Sequence, residues 1–194
     1  MPPELALHVA FYADVENASF LKAQLLAGNT DFEYAFIDAS MIVSTKHVLA
    51  ATFRAMNDHL SERLKSRNIH SEIVFCLSPN NNIGEAFKKF GISDSTKDVV
   101  VVKVSTNPNV THESVGTHLQ DAIKGTPLPF EDRTFLGISD LPKIAKAYKV
   151  SSTQWAKSKP SSTSLMNGDS DTAQEGRHHL EISVLGLMAL RGAT

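Results

Sequence analysis

Residues 73–93 read IVFCLSPNNNIGEAFKKFGIS, and this stretch of the 194-residue chain does most to define its fold. The apolar run 73–77 predicts a buried strand that leads directly into a helix. Ser78 suits the N-cap of that helix and Pro79 its first position, where the missing N–H is not needed. Gly91 is placed to end the helix in a left-handed turn. The sequence therefore predicts a strand, a short polar turn and a helix.

The three consecutive asparagines at 80–82 allow two interpretations. Asn82 with Glu85 three residues later forms a capping arrangement that would start the helix slightly later, and an Asx-turn accounts for a further amide. Alternatively, the three amides present donors and acceptors to a phosphate or a nucleotide, with Lys88 and Lys89 one or two turns on. The residues alone leave both interpretations open.

The same segment resembles the PRPK-binding protein family, the small kinase-binding subunit of the KEOPS (EKC) complex. Members of that family carry Ser-Pro-Asn-Asn-Asn-Ile, then a helix with paired lysines, then Phe-Gly-Ile, as residues 78–92 do here. The resemblance extends to residues 11–28, 71–75 and 138–152, so it covers most of residues 5–156 and the last helix. Gly84 and Phe87 stand where Ser and Leu are expected in some relatives, and these two differences leave the polar pattern of the motif intact.

The resemblance implies a non-catalytic subunit that binds and regulates a small atypical kinase and meets the other KEOPS subunits indirectly. It also implies that the subunit helps to recruit tRNA for threonylcarbamoylation of adenosine, in the nucleus and the cytoplasm, and that it has a link to telomere maintenance. The expected kinase contacts on the C-terminal helix are Ile182, Leu185, Met188 and Leu190. The expected contacts with the single-stranded 3′ end of tRNA are Asn80, Asn81, Asn82, Lys88 and Lys89.

Charge is unevenly distributed along a chain whose formal net charge is −2. Residues 1–40 contain six acidic residues and one lysine, whereas residues 139–159 contain five lysines and one aspartate. Residues 45–70 contain five basic and two acidic residues. Such polarity is compatible with a local nucleic-acid footprint on a nearly neutral protein, and it is equally typical of solvated helix faces.

The single cysteine, Cys76, lies in an apolar run and has no second cysteine with which to form an internal disulfide. We therefore expect a reducing compartment and a buried packing role for this thiol. The chain shows no apolar segment after a basic start, and no apolar run approaches the roughly 18 residues of a membrane span. These features argue against a secretory or membrane-spanning protein.

Hydrophobic patterns predict an α/β fold with a single sheet of about four to five strands and helices packed on its faces. Strands are expected at residues 5–12, 35–38, 69–77 and 99–102, and the last is a continuous β-branched run typical of a central strand covered on both sides. Helices are expected at about residues 14–27, 44–65, 82–90, 111–124 and 141–149. Pro127 and Pro129 predict a loop. Residues 1–156 are thus expected to form the α/β domain.

Residues 157–176 contain almost no apolar side chains whose burial could offset the entropy lost on folding. They are therefore predicted to form a flexible, disordered Ser-rich insertion. A C-terminal helix is predicted from about residue 177 to 191, with residues 177–194 packing on the same domain. This helix is apolar on two sides. One face contains Leu180, Val184, Leu187 and Met188, and the opposite one contains Ile182, Leu185, Ala189 and Leu190. A terminal helix that lies on a domain buries one side only, so the helix is either sandwiched in the core or presents an interaction surface.

The sequence shows neither a Gly-rich phosphate loop nor a cysteine pair, and Ser78 lacks the glycines of a nucleophile elbow. His178 and His179 are adjacent, so their rings diverge by about 100° on a helix and are poorly placed to share a metal. We therefore expect no catalytic residue, no metal and no cofactor. Two alternatives stay open: a stand-alone RNA-binding module that uses the basic helices, and an enzyme acting on a nucleotide held at the asparagine-rich helix start.

Overall fold

The computed structural model describes residues 5–105, 107, 109–151 and 169–191. Its strands are β1 (Ala6–Ala13), β2 (Ala35–Asp38), β3 (Val99–Ser105) and β4 (Thr126–Leu128). Its helices are α1 (Ala18–Ala27), α2 (Thr45–Leu60), α3 (Ile69–Cys76), α4 (Ile83–Phe90), α5 (His112–Ala122), α6 (Asp132–Phe135), α7 (Leu141–Tyr148) and α8 (Asp169–Leu190). Short 3-10 turns at Thr30–Phe32 and Ala39–Met41 flank β2.

The four strands form one antiparallel sheet in the order β2-β3-β1-β4, which confirms the predicted α/β class with helices on the faces of the sheet. β3 lies inside the sheet, and its valines at 99–102 are all buried. Alternate residues of a strand point to opposite faces. Val100 and Val102 accordingly belong to one core, and Val99 and Val101 belong to the other. The prediction of a central strand covered on both sides is confirmed.

Two hydrophobic cores hold the layers together. The larger one joins the sheet to α2, α3, α7 and α8 and includes Phe11, Ile73 and Val184. The smaller one lies under α1 and α5 and includes Leu21 and Leu119. The C-terminal helix is therefore part of the main core. Within the described ranges, none of the helices has the length and apolar content that a bilayer crossing requires.

Residues 69–76 form the helix α3, so the predicted strand at 69–77 was wrong. Almost every residue of α3 is buried, and a helix without a polar face shows no helical period in its sequence. Its β-branched and aromatic residues then favoured a strand. A start signal was nevertheless present, because the side-chain oxygen of Asn68 accepts the N–H of Ser71 at 2.8 Å as an N-cap.

Four elements also differ in their bounds or type from the prediction, the first being α1, which begins at Ala18 and not near residue 14. Residues 126–128 form an edge strand where a loop was expected, and Pro127 pairs with Tyr12 there because an edge strand does not need every N–H. α2 ends at Leu60 and not near residue 65. α8 begins at Asp169, inside the stretch predicted to be a flexible insertion, and the rest of that stretch lies outside the described residues.

Gly91 ends α4 with a φ of −76°, so the predicted left-handed turn was wrong. A Cβ at this position would lie 2.7 Å from the carbonyl oxygen of Phe87. Glycine is therefore required by a close backbone approach and not by a positive φ. Gly91 then forms an isolated bridge with Ile37, which brings the chain after α4 to the edge of β2.

Candidate functional site

The asparagine-rich turn is a capping structure. Asn82 is the N-cap of α4, and its side-chain oxygen accepts the N–H of Glu85 at 3.0 Å. The side chain of Asn80 accepts the N–H of Asn82 at 3.0 Å and donates to Oε2 of Glu85 at 2.9 Å. Of the two predicted helix starts, the later one is confirmed. Ser78 is not the N-cap, and its hydroxyl donates to the side chain of Asn80 at 3.1 Å.

The five residues predicted to contact RNA do not form one surface. Asn80 and Asn82 are engaged within the turn, whereas Asn81 is exposed and makes no side-chain hydrogen bond with the residues that the structure describes. Lys89 forms an ion pair with Glu85, and the hydrogen bonds from Lys89 and Asn80 lower the pKa of that carboxyl group. Lys88 is exposed and lies on a different side of α4.

The asparagine-rich turn and the C-terminal helix form the two sides of one groove, with a volume of about 650 Å³. We call it the α8 groove. α8 contributes Ser183, Gly186, Leu187 and Leu190, and the opposite side contains Pro79, Asn80, Glu85, Lys89 and residues 147–150. The sequence did not predict this groove, because its two sides lie about a hundred residues apart in the chain.

Exposure separates the apolar residues of α8 into an inner and an outer set. Leu180 and Val184 are fully buried, as expected for the inner face. Met188, one of the predicted kinase contacts, is only 4% exposed and belongs to the main core. Leu185 is half-buried against the same core.

The outer set of α8 contains the remaining two predicted kinase contacts. Ile182 is 55% exposed and Leu190 is 63% exposed. Leu187, which was expected on the inner face, is also exposed and lines the α8 groove. The accessible apolar surface of the helix therefore consists of Ile182, Leu187 and Leu190.

A second cleft, with a volume of about 500 Å³, lies between α1, the β2 edge of the sheet, α3 and α4. Aromatic and aliphatic side chains form its walls: Leu25, Phe32, Tyr34, Phe36, Val74, Phe87 and Ile92. Arg67 and Lys88 line it as well, both are exposed, and neither forms an ion pair with any described residue. A third cation, Lys22, is paired with Asp94 at 2.8 Å. We call this site the basic cleft.

Known proteins match this sequence over nearly its whole length. Residues 12–192 match the family described as kinase binding protein CGI-121. The chain belongs to the CGI-121 family. It is 57% identical to the EKC/KEOPS complex subunit cgi121 of Aspergillus terreus, over 98% of this chain and 93% of that protein. The corresponding subunits of Aspergillus fumigatus and Coccidioides immitis are 55% and 50% identical, each over 100% of this chain and over 94% and 95% of their own lengths. The resemblance found in the sequence is confirmed.

Two arginines fix the C-terminal end of α8 in this CGI-121 family member. Neither role was predicted from the sequence. Arg54 of α2 donates to the carbonyl oxygens of Met188 and Arg191 at 2.6 and 2.7 Å, which satisfies the last carbonyls of a helix. Arg191 donates in turn to the carbonyl oxygens of Phe75 and Ser78, and its guanidinium lies 4.1 Å from the centroid of the Phe75 ring. The asparagine-rich turn and α8 are thus joined through one buried side chain.

A buried hydrogen-bond network holds the backbone just before the asparagine-rich turn. The N–H of Val43 donates to Nδ1 of His47 at 3.3 Å, so Nε2 carries the proton and donates to the hydroxyl of Tyr148 at 2.8 Å. That hydroxyl donates to the carbonyl oxygen of Leu77. Burial lowers the pKa of His47 to about 3, so the ring is neutral. Tyr148 is therefore a core residue.

Among the described residues, three side chains of metal-ligating type converge, with ligand atoms within 4.8 Å of one another: Asp58, Glu72 and Cys76. Two guanidinium groups already supply positive charge there. Nε of Arg54 lies 4.0 Å from Oδ2 of Asp58, and Nη2 of Arg191 lies 3.6 Å from Sγ of Cys76. Burial raises the pKa of the Cys76 thiol to about 11. The arrangement favours a structural charge network over a metal centre.

Proposed function

We propose that this CGI-121 family member is a non-catalytic subunit of KEOPS that binds and regulates the small atypical kinase of the complex through the outer face of α8. The observation that carries the proposal is the exposure of Ile182, Leu187 and Leu190 on a helix whose inner face is already buried. The family description as a kinase binding protein and the names of the relatives as EKC/KEOPS subunits support the same function.

The physical argument rests on rigid apolar anchors. Large apolar side chains that are held in place before association lose little entropy on binding, and a few such anchors dominate the energy of most interfaces. α8 is held at its end by Arg54 and Arg191, so Leu187 and Leu190 have fixed positions along the groove. The groove offers a partner a pocket beside these anchors, with Lys149 at its edge.

Replacement of Leu190 by arginine tests the kinase surface. We expect Leu190→Arg to weaken the one-to-one complex with the purified kinase at least tenfold, because a charge would replace an apolar anchor in the interface. Ile182→Arg is expected to act in the same direction. The complex is measured by size-exclusion chromatography with light scattering and by titration calorimetry, and kinase ATP hydrolysis is measured with and without the subunit.

Leu26→Arg is the matched control, because Leu26 is an exposed leucine on α1 and lies away from α8. Leu185 is less suitable for this test, since a half-buried side chain also contributes to the core. Thermal unfolding shows whether each variant is folded. A folded Leu190→Arg variant that binds the kinase as tightly as the wild type would show that α8 is not the interface.

We further propose that the basic cleft helps to recruit tRNA by holding an unpaired base. Sequence-tolerant recognition of single-stranded RNA uses aromatic side chains against which a base stacks, together with cations that contact the neighbouring phosphates. The basic cleft presents two accessible aromatic rings, Phe32 and Phe87, beside the two unpaired cations Arg67 and Lys88. Arg67 comes from the basic region 45–70, and Lys88 comes from the asparagine-rich motif.

The double replacement Arg67→Gln with Lys88→Gln tests this role. We expect tRNA affinity to fall about tenfold. The slope of the logarithm of the binding constant against the logarithm of the salt concentration should become shallower by roughly 0.7 for each phosphate contact removed. Lys97→Gln is the control, because it removes a charge from an exposed position outside both basic stretches and outside the cleft. Fluorescence anisotropy with labelled tRNA measures both quantities. Unchanged affinity would exclude the cleft, and strong binding by a chain that forms no kinase complex would favour a stand-alone RNA-binding module.

The asparagine-rich turn needs a separate test because two of its amides are structural. Asn82→Ala removes the N-cap of α4 and is expected to cost about 1 kcal/mol of stability. Asn81→Ala is expected to leave stability within about 0.5 kcal/mol, since its side chain is exposed. A loss of tRNA affinity in Asn81→Ala would therefore indicate a direct contact. No loss in either variant would mean that the motif only caps the helix.

A further inference from the structure

A third cleft, with a volume of about 550 Å³, opens between α1 and the C-terminal end of α5. It is lined by Phe20, Phe32 and His118, together with Asn17, Asp121, Ala122 and Lys124. It adjoins the basic cleft at Phe32 but opens away from Arg67 and Lys88, neither of which lines it. Apart from Phe32, which also lines the basic cleft, no residue of this cleft takes part in the kinase or tRNA proposals. We call it the aromatic cleft.

Three steeply inclined rings form its walls. The ring centroids of Phe20 and Phe32 are 5.6 Å apart with an interplanar angle of 85°, and those of Phe32 and His118 are 5.2 Å apart at 66°. The ring of His118 is held in place by a hydrogen bond between its Nδ1 and the hydroxyl of Tyr34 at 2.7 Å. Phe20 is 46% exposed, which is high for a large aromatic side chain in a folded domain. The rings are therefore positioned before any ligand arrives.

The electrostatic surroundings of the aromatic cleft favour a cation. The carbonyl end of α5, which carries the negative pole of the helix dipole, lies at the cleft and has no basic residue in its last turn. Asp121 is exposed there and forms no ion pair with the part of the chain that the structure describes. Lys124 at the border is the one opposing charge among the lining residues. Aromatic faces add a further attraction for positive charge.

The floor of the cleft is rigid. The side-chain N–H of Asn17 donates to the carbonyl oxygen of Ala122 at 2.8 Å, and its side-chain oxygen accepts the N–H of Lys124 at 2.9 Å. Asn17 therefore ties the start of α1 to the end of α5. Asp121 is the one carboxylate among the lining residues, and the Ala122 carbonyl and the Asn17 side chain are already hydrogen-bonded to each other or to Lys124. A primary ammonium or a guanidinium in the cleft would therefore leave some of its N–H groups facing aromatic rings, and unmade hydrogen bonds are costly. A quaternary ammonium has no N–H and avoids that cost.

We propose that the aromatic cleft binds a quaternary ammonium group, of the kind carried by trimethyl-lysine or by choline. The cation lies among Phe20, Phe32 and His118, with Asp121 and the end of α5 providing the opposite charge. Both sources present the same trimethylammonium chemistry, so the probes must distinguish them. This function is independent of kinase binding.

Titration with a pair of isosteric probes tests the proposal. Choline and 3,3-dimethylbutan-1-ol have the same shape, and only the first carries a positive charge. We expect choline to shift the amide resonances around Phe20 and His118 in heteronuclear NMR spectra and to bind at least fivefold more tightly than the neutral alcohol. N-acetyl-trimethyl-lysine amide and the unmethylated amide form a second pair, and tighter binding of the methylated form than of choline would identify a protein side chain as the source.

Variants separate the cation site from a simple apolar pocket. Phe20→Leu keeps an apolar side chain without a ring face and is expected to weaken choline binding about tenfold, and Asp121→Asn is expected to weaken it about threefold. Phe53→Leu is the matched control, because Phe53 is 47% exposed and lies on α2. Equal binding of choline and its neutral isostere would overturn the proposal. So would unchanged choline affinity in a Phe20→Leu variant whose spectrum shows a native fold.

Discussion

Many side chains that look functional in the sequence hold the fold in the structure. Asn80 and Asn82 hold the start of α4 through hydrogen bonds to Glu85. The hydroxyl of Tyr148 donates to the carbonyl oxygen of Leu77 in the buried network next to the same turn. The side chains left for a partner are those with no ion pair or hydrogen bond to the described residues, above all Asn81 and Arg67. Arg67 was not among the predicted site residues, because an exposed arginine in a loop carries no signal of the cleft beside it.

Three buried histidines are expected to make stability depend on pH: burial also lowers the pKa of His8, and the larger effects come from His47 and His70. The pKa of His47 and the pKa of His70 are both lowered to about 3, mainly by burial. In the unfolded chain both titrate near 6.5, so below that pH the unfolded state binds more protons than the folded state. The stabilising contribution is complete above pH 6.5 and is lost as the pH falls toward 3. The expected slope from His47 and His70 is about 2.7 kcal/mol per pH unit well below pH 6.5 if both rings stay neutral.

Urea unfolding between pH 7.5 and 5 measures this slope. The carboxyl groups of Glu85 and Asp132 do not interfere, because their pKa values are lowered and they titrate below this range. His47→Gln is expected to reduce the slope by about 1.4 kcal/mol per pH unit, whatever its effect on stability at pH 7.5. His179→Gln replaces an exposed histidine that contributes to neither the His47 nor the His70 shift, and it is the matched control. A free energy of unfolding that stays constant between pH 6 and 5 would contradict the burial argument.

At the scale of single elements, the most consequential contacts are those at helix ends. Arg191 connects the end of α8 to the end of α3, and Arg54 connects α2 to the end of α8. The carbonyl oxygens of Phe75 and Ser78 that accept from Arg191 are buried. Arg191→Met removes both of these hydrogen bonds. We therefore expect the free energy of unfolding to fall by about 2–4 kcal/mol.

Chemical denaturation of the full chain measures this loss. Arg63→Met is the matched control, because Arg63 is mostly exposed and its contact with Asp58 is long, at 3.7 Å. We expect the control to change stability by no more than about 0.5 kcal/mol. If both variants unfold at the same urea concentration, the buried arginine does not hold α8 in place.

The strands of the sheet interior and the amphipathic helices were predicted from the sequence, whereas the helix that is buried on all sides was not. β2 was predicted at its observed bounds, and α2 and α7 begin where Ser44 and Asp140 cap them. α3 was assigned to the wrong class, because a helix surrounded by protein has no polar stripe to reveal its period. The asparagine-rich helix was placed correctly once its cap was identified, since capping depends on neighbours in the sequence.

Across the whole molecule, the α8 groove and the basic cleft share one helix but little surface. Lys89 of α4 lines the groove, and Lys88 lines the cleft. We therefore expect the two functions to be separable. Leu190→Arg should lose kinase binding and keep tRNA affinity within about twofold, and the Arg67→Gln, Lys88→Gln double variant should do the reverse.

Parallel kinase and tRNA titrations on the same preparations test this separation. Lys97→Gln, which alters neither surface, is carried through both assays. If each variant loses both activities while its thermal unfolding stays native, the groove and the cleft act as one surface.

The linear order of residues was sufficient for those features that depend on near neighbours. The asparagine-rich motif identified the family, the run of valines identified the central strand, and local caps identified helix starts. The helical state of α3, the pairing of β4 and the partners of Arg191 were decided only in the tertiary structure. Each of them depends on burial by, or contact with, segments far along the chain, and such contacts leave no periodic trace in the sequence. The three clefts belong to the same class, because each is a space enclosed by elements that meet only after the sheet and its two cores have formed.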